Sequence, residues 1–175
     1  MQIRAAKDSE LEELIELQVP IFRPGAYDRF RSYVREDPAY KLDLSRVLLV
    51  EGRIVSHIRI WDRLIRVRGV ALRVGGLGSV VTRPEYRGRG YAGALMKDTD
   101  RYLYEAGYDM GSLFSIIGTG YYGALGWASI PLPTFTLEAG PNVGTCHGSK
   151  DVRPLDIDSD LDAVASIYEH CSKDL

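Results

Sequence analysis

The sequence predicts a mixed α/β fold, in which helices flank a central, mostly antiparallel sheet that contains one parallel, splayed pair of strands. Three observations favour this class. A meander of strands with a period of two runs over residues 46–82. A glycine-rich turn then leads into an amphipathic helix over 91–105. A short apolar strand over 110–117 follows, so the helix is predicted to make the crossover between neighbouring parallel strands.

Length and composition bound the possible classes. A chain of 175 residues, 45% hydrophobic and 26% charged, fits one soluble domain with or without a fragment of another. The net charge of -2 argues against nucleic-acid binding. No apolar run reaches the roughly 20 residues of a membrane span, and no hydrophobic signal core opens the chain, so the cytoplasm is expected. Cys146 and Cys171 indicate neither a disulfide framework nor zinc spacing, and we expect no metal.

The first elements are predicted to be a strand and two helices. Gln2 to Ala5 is typical of a short strand. Asp8 or Ser9 can cap the next helix, whose apolar residues have helical spacing, and Pro20 and Pro24-Gly25 are expected to break it. A second, shorter helix is indicated by Tyr27, Phe30, Tyr33 and Val34.

The meander comprises strands over 46–51, 54–68 and 70–82. Hairpin turns are predicted at Glu51-Gly52-Arg53 and at Arg68-Gly69-Val70. The glycines at 75, 76 and 78 weaken the last strand and indicate a bulge, a splay, or a place where another backbone or a ligand comes close.

After the glycine-rich turn, a buried helical stripe is predicted and Gly107 ends the helix; the stripe comprises Ala92, Leu95, Met96, Thr99, Tyr102 and Leu103. The strand over 110–117 follows. We then expect a brief helix over 121–125 and a final strand over 135–137.

The tail repeats the opening of the chain. Residues 152–164 align with residues 3–14 after one insertion, and both have an Ile/Val-Arg strand, an Asp-Ser cap and an acidic amphipathic helix. We therefore expect a first domain over 1–138, a linker over 139–150, and over 151–175 the start of a second, similar, truncated domain. A chance likeness between two capped acidic helices is the alternative.

Arginines crowd one stretch of the chain: Arg59, Arg63, Arg66, Arg68, Arg73, Arg83, Arg87 and Arg89. They are either solvated strand faces or a local field that favours an anionic cofactor. Only Arg87 and Arg89 have positional support for a cofactor role, because they lie in the turn Arg87-Gly88-Arg89-Gly90-Tyr91-Ala92. Such a turn offers unpaired N–H groups and a positive helix end to an anion. Its spacing is neither that of a P-loop nor that of a dinucleotide fold.

Two motifs together carry a family resemblance. Residues 80–92 match, almost position by position, the central pyrophosphate-binding motif of the GNAT acyltransferase superfamily, and residues 122–127 match its later Y-x-x-x-G-F/W element. The Gly75-Gly76-Leu77-Gly78 lead-in and the tail repeat resemble the tandem, enhanced-intracellular-survival type. The resemblance covers about residues 1–138. It implies a GNAT-like fold and an N-acetyltransferase that moves an acetyl group from acetyl-CoA to a primary amine of a small molecule or peptide.

The resemblance also implies a site. The coenzyme A pyrophosphate should lie on the N–H groups of Gly88, Arg89, Gly90, Tyr91 and Ala92, with Arg87 at the start of the loop. The strand end Val80, Val81 and Thr82 should pair with the pantetheine arm, and an N–H near Val80 should meet the oxyanion. Tyr122 is the implied general acid toward the thiolate. Tyr121 competes for that role, and Tyr122 could instead be a packed tyrosine.

Several alternatives stay open. His57, Asp62 and Glu85 are candidate bases, and no spacing selects one; the aromatic residues of the second helix either cover an acceptor site or pack on the sheet. Aminoglycosides, polyamines, amino acids and protein amines are all candidate acceptors, and exposed strand edges make a homo-oligomer plausible. A non-catalytic acyl-CoA-binding module, the supporting half of a tandem acetyltransferase, and a protein-interaction domain are the competing functions.

Overall fold

The computed structural model describes residues 1–131, 136 and 153–172. Residues 135 and 137 of the predicted final strand, and the linker over 139–150, lie outside the described residues. No helix in the described part of the chain is both long enough and apolar enough to cross a bilayer.

Within the described residues, one sheet of five strands forms the centre of the fold, and its spatial order follows the chain. The strands are β1 (Gln2–Ala5), β2 (Ser45–Val50), β3 (Arg53–Val67), β4 (Val70–Thr82) and β5 (Met110–Leu113). The first four pair antiparallel, whereas β5 pairs parallel to β4. The helices are α1 (Leu11–Phe22), α2 (Tyr27–Arg35), α3 (Tyr91–Glu105), α4 (Thr119–Gly123) and α5 (Ile157–Cys171). The predicted fold class is therefore confirmed.

Both predicted hairpin turns are present. Glu51 and Gly52 have φ of 49° and 80°, and Arg68 and Gly69 have φ of 51° and 78°. Positive φ at both central residues is the type I′ geometry, which matches the twist of the strands that it joins. The meander over residues 45–82 thus consists of three strands joined by two-residue hairpin turns.

Helix α1 does not end at Pro20, so that prediction is wrong. The helix includes Pro20 and ends at Phe22, and Leu14, Ile15 and Leu17 are buried. Proline removes one intrahelical hydrogen bond, and near the last turn this loss is small beside the burial of an apolar face. Arg23 leaves the helix with φ −160° and ψ 88°, because a residue that precedes proline disfavours helical geometry.

The sheet has a core on each face. The α1 face buries Val47, Leu49, Ile54 and Val81 against Leu14 and Leu17. The α3 face buries Leu48, Ile58, Ile60 and Leu77 against Leu95, Met96 and Leu103. The predicted stripe of α3 is therefore confirmed at Leu95, Met96, Thr99 and Leu103, which are buried.

Helix α3 also buries an acid that the stripe did not include. Asp98 is buried and accepts hydrogen bonds from the guanidinium groups of Arg46 at 2.6 Å and Arg101 at 2.6 Å. Two cations thus satisfy one buried carboxylate, which is the condition for burying a charge at modest cost.

The predicted bulge lies at residues 79 and 80. His57 pairs with Val81, but Arg59 pairs with Gly78, so two residues of β4 oppose Ile58 of β3. Ser79 has φ of 52°, which is uncommon for a residue with a side chain. The bulge turns the end of β4 away from the line that it follows up to Leu77.

The glycines of β4 and β5 make room for large side chains rather than for another backbone. A Cβ on Gly78 would lie 2.9 Å from Nε1 of Trp61, and one on Gly111 would lie 2.7 Å from the Trp127 ring. Real Cβ contacts are longer than this, so the tryptophans need glycine at these positions.

The parallel pair parts after four residues. The β4–β5 register covers Val74–Leu77 against Met110–Leu113 and then stops. The strand predicted over 110–117 is therefore too long, because Phe114 and Ile116 are 90% and 101% exposed and have no partner strand within the described residues. The predicted splay is confirmed. Helix α4 begins two residues earlier than predicted, directly after Gly118, whose φ is 80°.

Candidate active site

The end of β4 borders the opening that the parted strands leave. Val80, Val81 and Thr82 lie beyond the last β4–β5 pair, and β3 pairs with β4 there through Val81 and Thr82. Among the described residues, no strand pairs with this stretch from the side of β5. A free strand edge can pair with an extended ligand through main-chain hydrogen bonds.

The glycine-rich turn and the first turn of α3 lie after this strand end. Gly88 and Gly90 have φ of 73° and 78°, and a Cβ on either would meet nothing within 4 Å. The first helical hydrogen bond runs from the N–H of Ala94 to the carbonyl of Gly90, and no N–H over residues 88–93 is bonded within the described part of the chain. Unpaired amides at a positive helix end form an anion site.

The arginine side chains of the turn fold back onto it. Arg87 Nε donates to the carbonyl of Thr82 at 3.1 Å, and Arg89 Nη2 donates to the carbonyl of Glu85 at 3.1 Å. The Arg89 guanidinium also lies 5.3 Å from the centre of the Tyr86 ring. These contacts brace the turn, and Gly88, Arg89 and Gly90 are exposed.

Tyr122 lies in α4 and packs against the core on the α3 side. Burial raises the pKa of Tyr122, and a hydrogen bond with Ser115 acts in the opposite direction. Leu125 brings this segment against the first turn of α3, where its Cδ2 is 3.7 Å from the place of a Cβ on Gly93. The fold therefore places the Tyr122 segment beside the helix that carries the free amides.

Tyr121 differs from Tyr122 in what it lines. The two rings pack edge to face with centres 5.0 Å apart. Tyr122 lines a groove of about 380 Å³ along β5 with Leu113, Ser115 and Trp127, and Tyr121 does not. The side chain of Tyr121 is 38% exposed, so Tyr122 is the better enclosed of the two phenols.

Two of the three candidate bases are held in ion pairs. Asp62 accepts from Arg73 at 2.9 Å, and this hydrogen bond lowers the pKa of Asp62. Glu85 is exposed and pairs with Arg53 at 3.2 Å. His57 is buried, and neither ring nitrogen has a hydrogen-bond partner in the described part of the chain. Burial, followed by the charge of Arg59, lowers the pKa of His57 to about 3, so the imidazole is neutral at pH 7.

A second cavity, the α1–α2 cavity, lies between those two helices and the sheet. It has a volume of about 100 Å³ and is lined by Leu11, Leu14, Ile15, Gln18, Phe30, Tyr33, Val34, Ser45, His57, Arg59, Trp61 and Ser79. Of the two alternatives for the aromatic residues of α2, packing on the sheet is observed, since Tyr33 packs on Trp61 with ring centres 6.1 Å apart. Tyr33 also lines the cavity.

Sequence reasoning missed Arg59, which is buried in this cavity wall. The signal was present in the alternation of β3, where His57, Arg59 and Trp61 occupy positions that share one face. Three other arginines of the basic stretch have acidic partners: Arg63 pairs with Asp37, Arg73 with Asp62 and Arg83 with Glu13. These three pairs neutralise their arginines without an anionic ligand.

The strand end, the turn with free amides, the crossover helix and the parted parallel strand together form a site suited to an extended anionic ligand. Residues 2–130 match the family described as acetyltransferase (GNAT) domain. The chain therefore belongs to the GNAT acetyltransferase family.

Similar proteins include enzymes that acetylate aminoglycosides. An aminoglycoside 2'-N-acetyltransferase of Mycolicibacterium fortuitum is 33% identical over 88 residues, which cover 50% of this chain and 45% of that relative. The aligned part of the chain thus spans less than half the length of this curated relative.

Solved structures share the fold. That of AAC(6')-Iy in complex with the bisubstrate analog CoA-S-monomethyl-acetylneamine aligns with a TM-score of 0.64 and 19% identity, and covers 79% of this chain and 98% of that one. A GCN5-related N-acetyltransferase from Kribbella flavida aligns with a TM-score of 0.60 and 24% identity, over 71% of this chain and 33% of that one.

Proposed function

We propose that the protein is an acetyl-CoA-dependent N-acetyltransferase that moves an acetyl group directly to a primary amine of a small molecule or peptide. The observation that carries this proposal is the row of unpaired amides over residues 88–93, at the start of α3 and next to the end of β4. Family membership supports the same reaction.

Each part of the cofactor has a complementary surface. The pyrophosphate binds the N–H groups of Gly88, Arg89, Gly90, Tyr91 and Ala92, and Arg87 braces the loop from the strand end. The pantetheine arm pairs with the free edge of Val80, Val81 and Thr82 as an added strand would. The thioester then reaches the bulge of β4.

The transfer step follows from this placement. The neutral amine attacks the thioester carbonyl, and the bond to sulfur breaks as the tetrahedral intermediate collapses. A bulge N–H near Val80 stabilises the oxyanion. The departing thiolate, with a pKa of about 8.5 by analogy with cysteine, takes a proton from the Tyr122 phenol. The new amide loses its surplus proton to solvent, and solvent returns a proton to the phenolate.

Deprotonation of the acceptor is assigned to solvent. Asp62 and Glu85 are engaged with Arg73 and Arg53. His57, with a pKa of about 3, is too weak a base to take a proton from an ammonium group. The rate should therefore rise with pH until the acceptor amine is unprotonated.

The test joins calorimetric titration of acetyl-CoA with a thiol-release assay over a panel of amines. We expect saturable binding, a raised melting temperature and turnover with at least one primary amine. Gly90→Glu, which places a carboxylate at the anion site, should abolish binding. Unchanged binding in this variant, or no binding by the unaltered protein, would overturn the proposal.

A second candidate function is that of one half of a tandem acetyltransferase, and the tail supports it. Arg4 forms a forked ion pair with Glu10 at 2.6 and 2.8 Å, and Glu10 also accepts the N–H of Lys7 at 2.8 Å. Arg153 and Asp160 form the same fork at 2.7 Å, and Asp160 accepts the N–H of Asp156 at 2.9 Å. The aligned segments thus share a hydrogen-bond pattern as well as residue types.

The apolar positions of α5 support a second, similar unit as well. Leu11, Leu14 and Leu17 of α1 align with Leu161, Val164 and Ile167 of α5. Leu14 and Leu17 are buried, whereas all three α5 residues are exposed. A helix with this pattern packs its apolar face in a complete domain.

The thiol-release assay separates the two candidates. A supporting half binds acetyl-CoA but turns over no amine, and Tyr122→Phe leaves its behaviour unchanged. Turnover that depends on Tyr122 excludes the supporting role.

A further inference from the structure

We propose that the α1–α2 cavity binds a carboxylate of the acceptor through the buried guanidinium of Arg59. The substrate class is then an amine that also carries a carboxylate, such as an amino acid or a short peptide. This inference rests on the proposed transferase function and names its acceptor.

The guanidinium of Arg59 is buried with its donors unused. The residue is 4% exposed, and its Nε, Nη1 and Nη2 have no hydrogen-bond partner in the described part of the chain. Its centre lies 3.9 Å from that of the Tyr40 ring and 4.6 Å from that of the Trp61 ring. Aromatic rings satisfy the faces of a guanidinium but not its N–H edge. A buried guanidinium whose N–H groups donate no hydrogen bond is costly, so an anionic acceptor is expected to meet them.

Asp37 does not satisfy these donors. Its carboxylate forms an ion pair with Arg59 at 3.6 Å, which is too long for a hydrogen bond, and it accepts hydrogen bonds from Arg63 at 3.1 Å and from the N–H of Ala39 at 3.0 Å. Burial lowers the pKa of Arg59 only to about 10, so the residue is a cation at pH 7. Two arginines and one aspartate leave this cluster with a surplus positive charge, which a monoanion neutralises.

The cavity is suited to a carboxylate with a short stem. Its volume is about 100 Å³, and Leu14, Ile15 and Phe30 line it beside the polar groups of His57, Arg59 and Ser79. The neutral His57 can donate one N–H to an anion. Ser79 belongs to the bulge at which the thioester is proposed to lie, so a carboxylate on Arg59 leaves the amine a short reach from the acyl carbon.

The same charge opposes a different acceptor class. A polycationic amine such as an aminoglycoside would bring like charge toward a buried arginine that is already short of an anion. The proposal therefore predicts a substrate preference unlike the activity named for the curated relative.

The test compares two acceptors of nearly equal size, β-alanine and β-alaninamide, which share the primary amine and differ in the carboxylate. We expect the unaltered protein to prefer β-alanine at least tenfold in kcat/KM, mostly through KM, since hydrogen bonds to charged groups are strong. Arg59→Met keeps the apolar stem and should abolish the preference. Arg66→Met, on the same strand but exposed, is the matched control and should keep it.

A binding measurement complements the turnover assay. Propionate and propionamide, titrated by calorimetry into the protein saturated with coenzyme A, should differ in the same direction, and Arg59→Met should remove the difference. Arg59→Lys, which keeps the charge and loses the fork, serves if the methionine variant does not fold, and should weaken propionate binding. Equal kcat/KM for β-alanine and β-alaninamide, together with equal affinity for propionate and propionamide, would overturn this inference alone. If the protein still bound acetyl-CoA and acetylated β-alaninamide, the proposed transferase function would stand.

Discussion

Burial acts on two titratable side chains of the site in opposite directions and keeps both neutral. It raises the pKa of Tyr122, which holds the phenol protonated through neutral and mildly alkaline pH. It lowers the pKa of His57, which holds the imidazole unprotonated. Desolvation disfavours whichever form is charged, and this is the common cause. Tyr122 thus keeps the proton that the proposed mechanism uses, and His57 is too weak a base to take one at neutral pH.

Tyr122→Phe should lower kcat by about a hundredfold or more, because a positioned general acid contributes about 10² to 10⁴. Acetyl-CoA affinity should stay within about twofold. Since the pKa of Tyr122 is raised, the activity of the unaltered protein should not fall between pH 7 and 9 through loss of this proton. Steady-state kinetics across that range measure both effects.

Tyr121→Phe is the matched control, because it removes a neighbouring phenol that does not line the groove along β5. It should leave kcat within about threefold. A large loss for Tyr121→Phe and none for Tyr122→Phe would exchange the two assignments.

Individual side chains were predictable only where a motif names them. The family resemblance singled out Tyr122 and the glycines at 88 and 90, and the structure places them in adjoining segments; their roles stay predictions. Arg59 was not, because alternation along a strand says which residues share a face and not which face a helix covers. Its burial depends on α1 and α2, which lie far away in sequence.

At the scale of elements, helix α3 has a glycine with positive φ at each of its ends. Gly90 and Gly107 both have positive φ, of 78° and 73°, and a Cβ on either would meet nothing within 4 Å. The strain of a substitution is therefore similar at the two ends. Only Gly90 adjoins the free amides.

Gly90→Ala and Gly107→Ala should each lower the free energy of unfolding by about 1 kcal/mol, the usual cost of left-handed geometry for alanine. Gly90→Ala should in addition weaken acetyl-CoA binding by tenfold or more, since the added methyl and the altered turn hold the pyrophosphate off the amides. Chemical denaturation and calorimetry separate the two effects. Equal acetyl-CoA affinity in the two variants would contradict the proposed phosphate site.

Gly111→Ala should destabilise the protein by about 1 to 3 kcal/mol, because overpacking a filled core forces its neighbours to move. The added Cβ would lie 2.7 Å from the Trp127 ring. Gly120→Ala in α4, where a Cβ meets nothing within 4 Å, is the control and should be neutral or slightly stabilising. Thermal unfolding of both variants checks this pair, and a neutral Gly111→Ala would show that Trp127 relaxes freely.

Elements whose signals are local were predicted well. The meander, its turns and α3 follow from alternation, from glycine at positive φ and from helical periodicity. The end of β5 and the helical state of Pro20 were not predicted, because they depend on whether a partner strand or a packed face is present. Pairing and packing are properties of the tertiary structure.

At the scale of the whole molecule, His57 links stability to pH. An ordinary histidine has a pKa of about 6.5, and burial lowers that of His57 to about 3. Between these values the unfolded chain binds a proton that the folded chain does not, so stability is full above the unfolded pKa and falls as the pH falls toward the folded one.

The unaltered protein should therefore lose about 1.4 kcal/mol of unfolding free energy per pH unit below about 6.5 from this group, or about 2 kcal/mol by pH 5. His57→Gln cannot take up the proton and should show a flatter profile. His170→Gln, which replaces an exposed histidine, is the control. Urea titrations at pH 7 and 5 measure the slopes, and parallel slopes in all three proteins would mean that His57 is protonated in the folded state.

The architecture of residues 1–131 was predictable because one local unit, the strand, glycine turn and helix over 70–105, fixes the crossover and thereby the sheet order. How the tail relates to that architecture was not predictable, because a sequence similarity over 13 residues does not say how the similar segments pack. The exposed apolar positions of α5 are the observation that the sequence alone did not provide.

The early parting of β4 from β5 has a consequence for the self-association of the protein. Unpaired N–H and C=O groups at the edge of a sheet can form hydrogen bonds with any extended peptide, including a strand from a neighbouring copy of the protein. A ligand bound along Val80, Val81 and Thr82 would cover this edge. Solutions of the empty protein should accordingly self-associate sooner on storage than those saturated with coenzyme A, a difference that light scattering can follow.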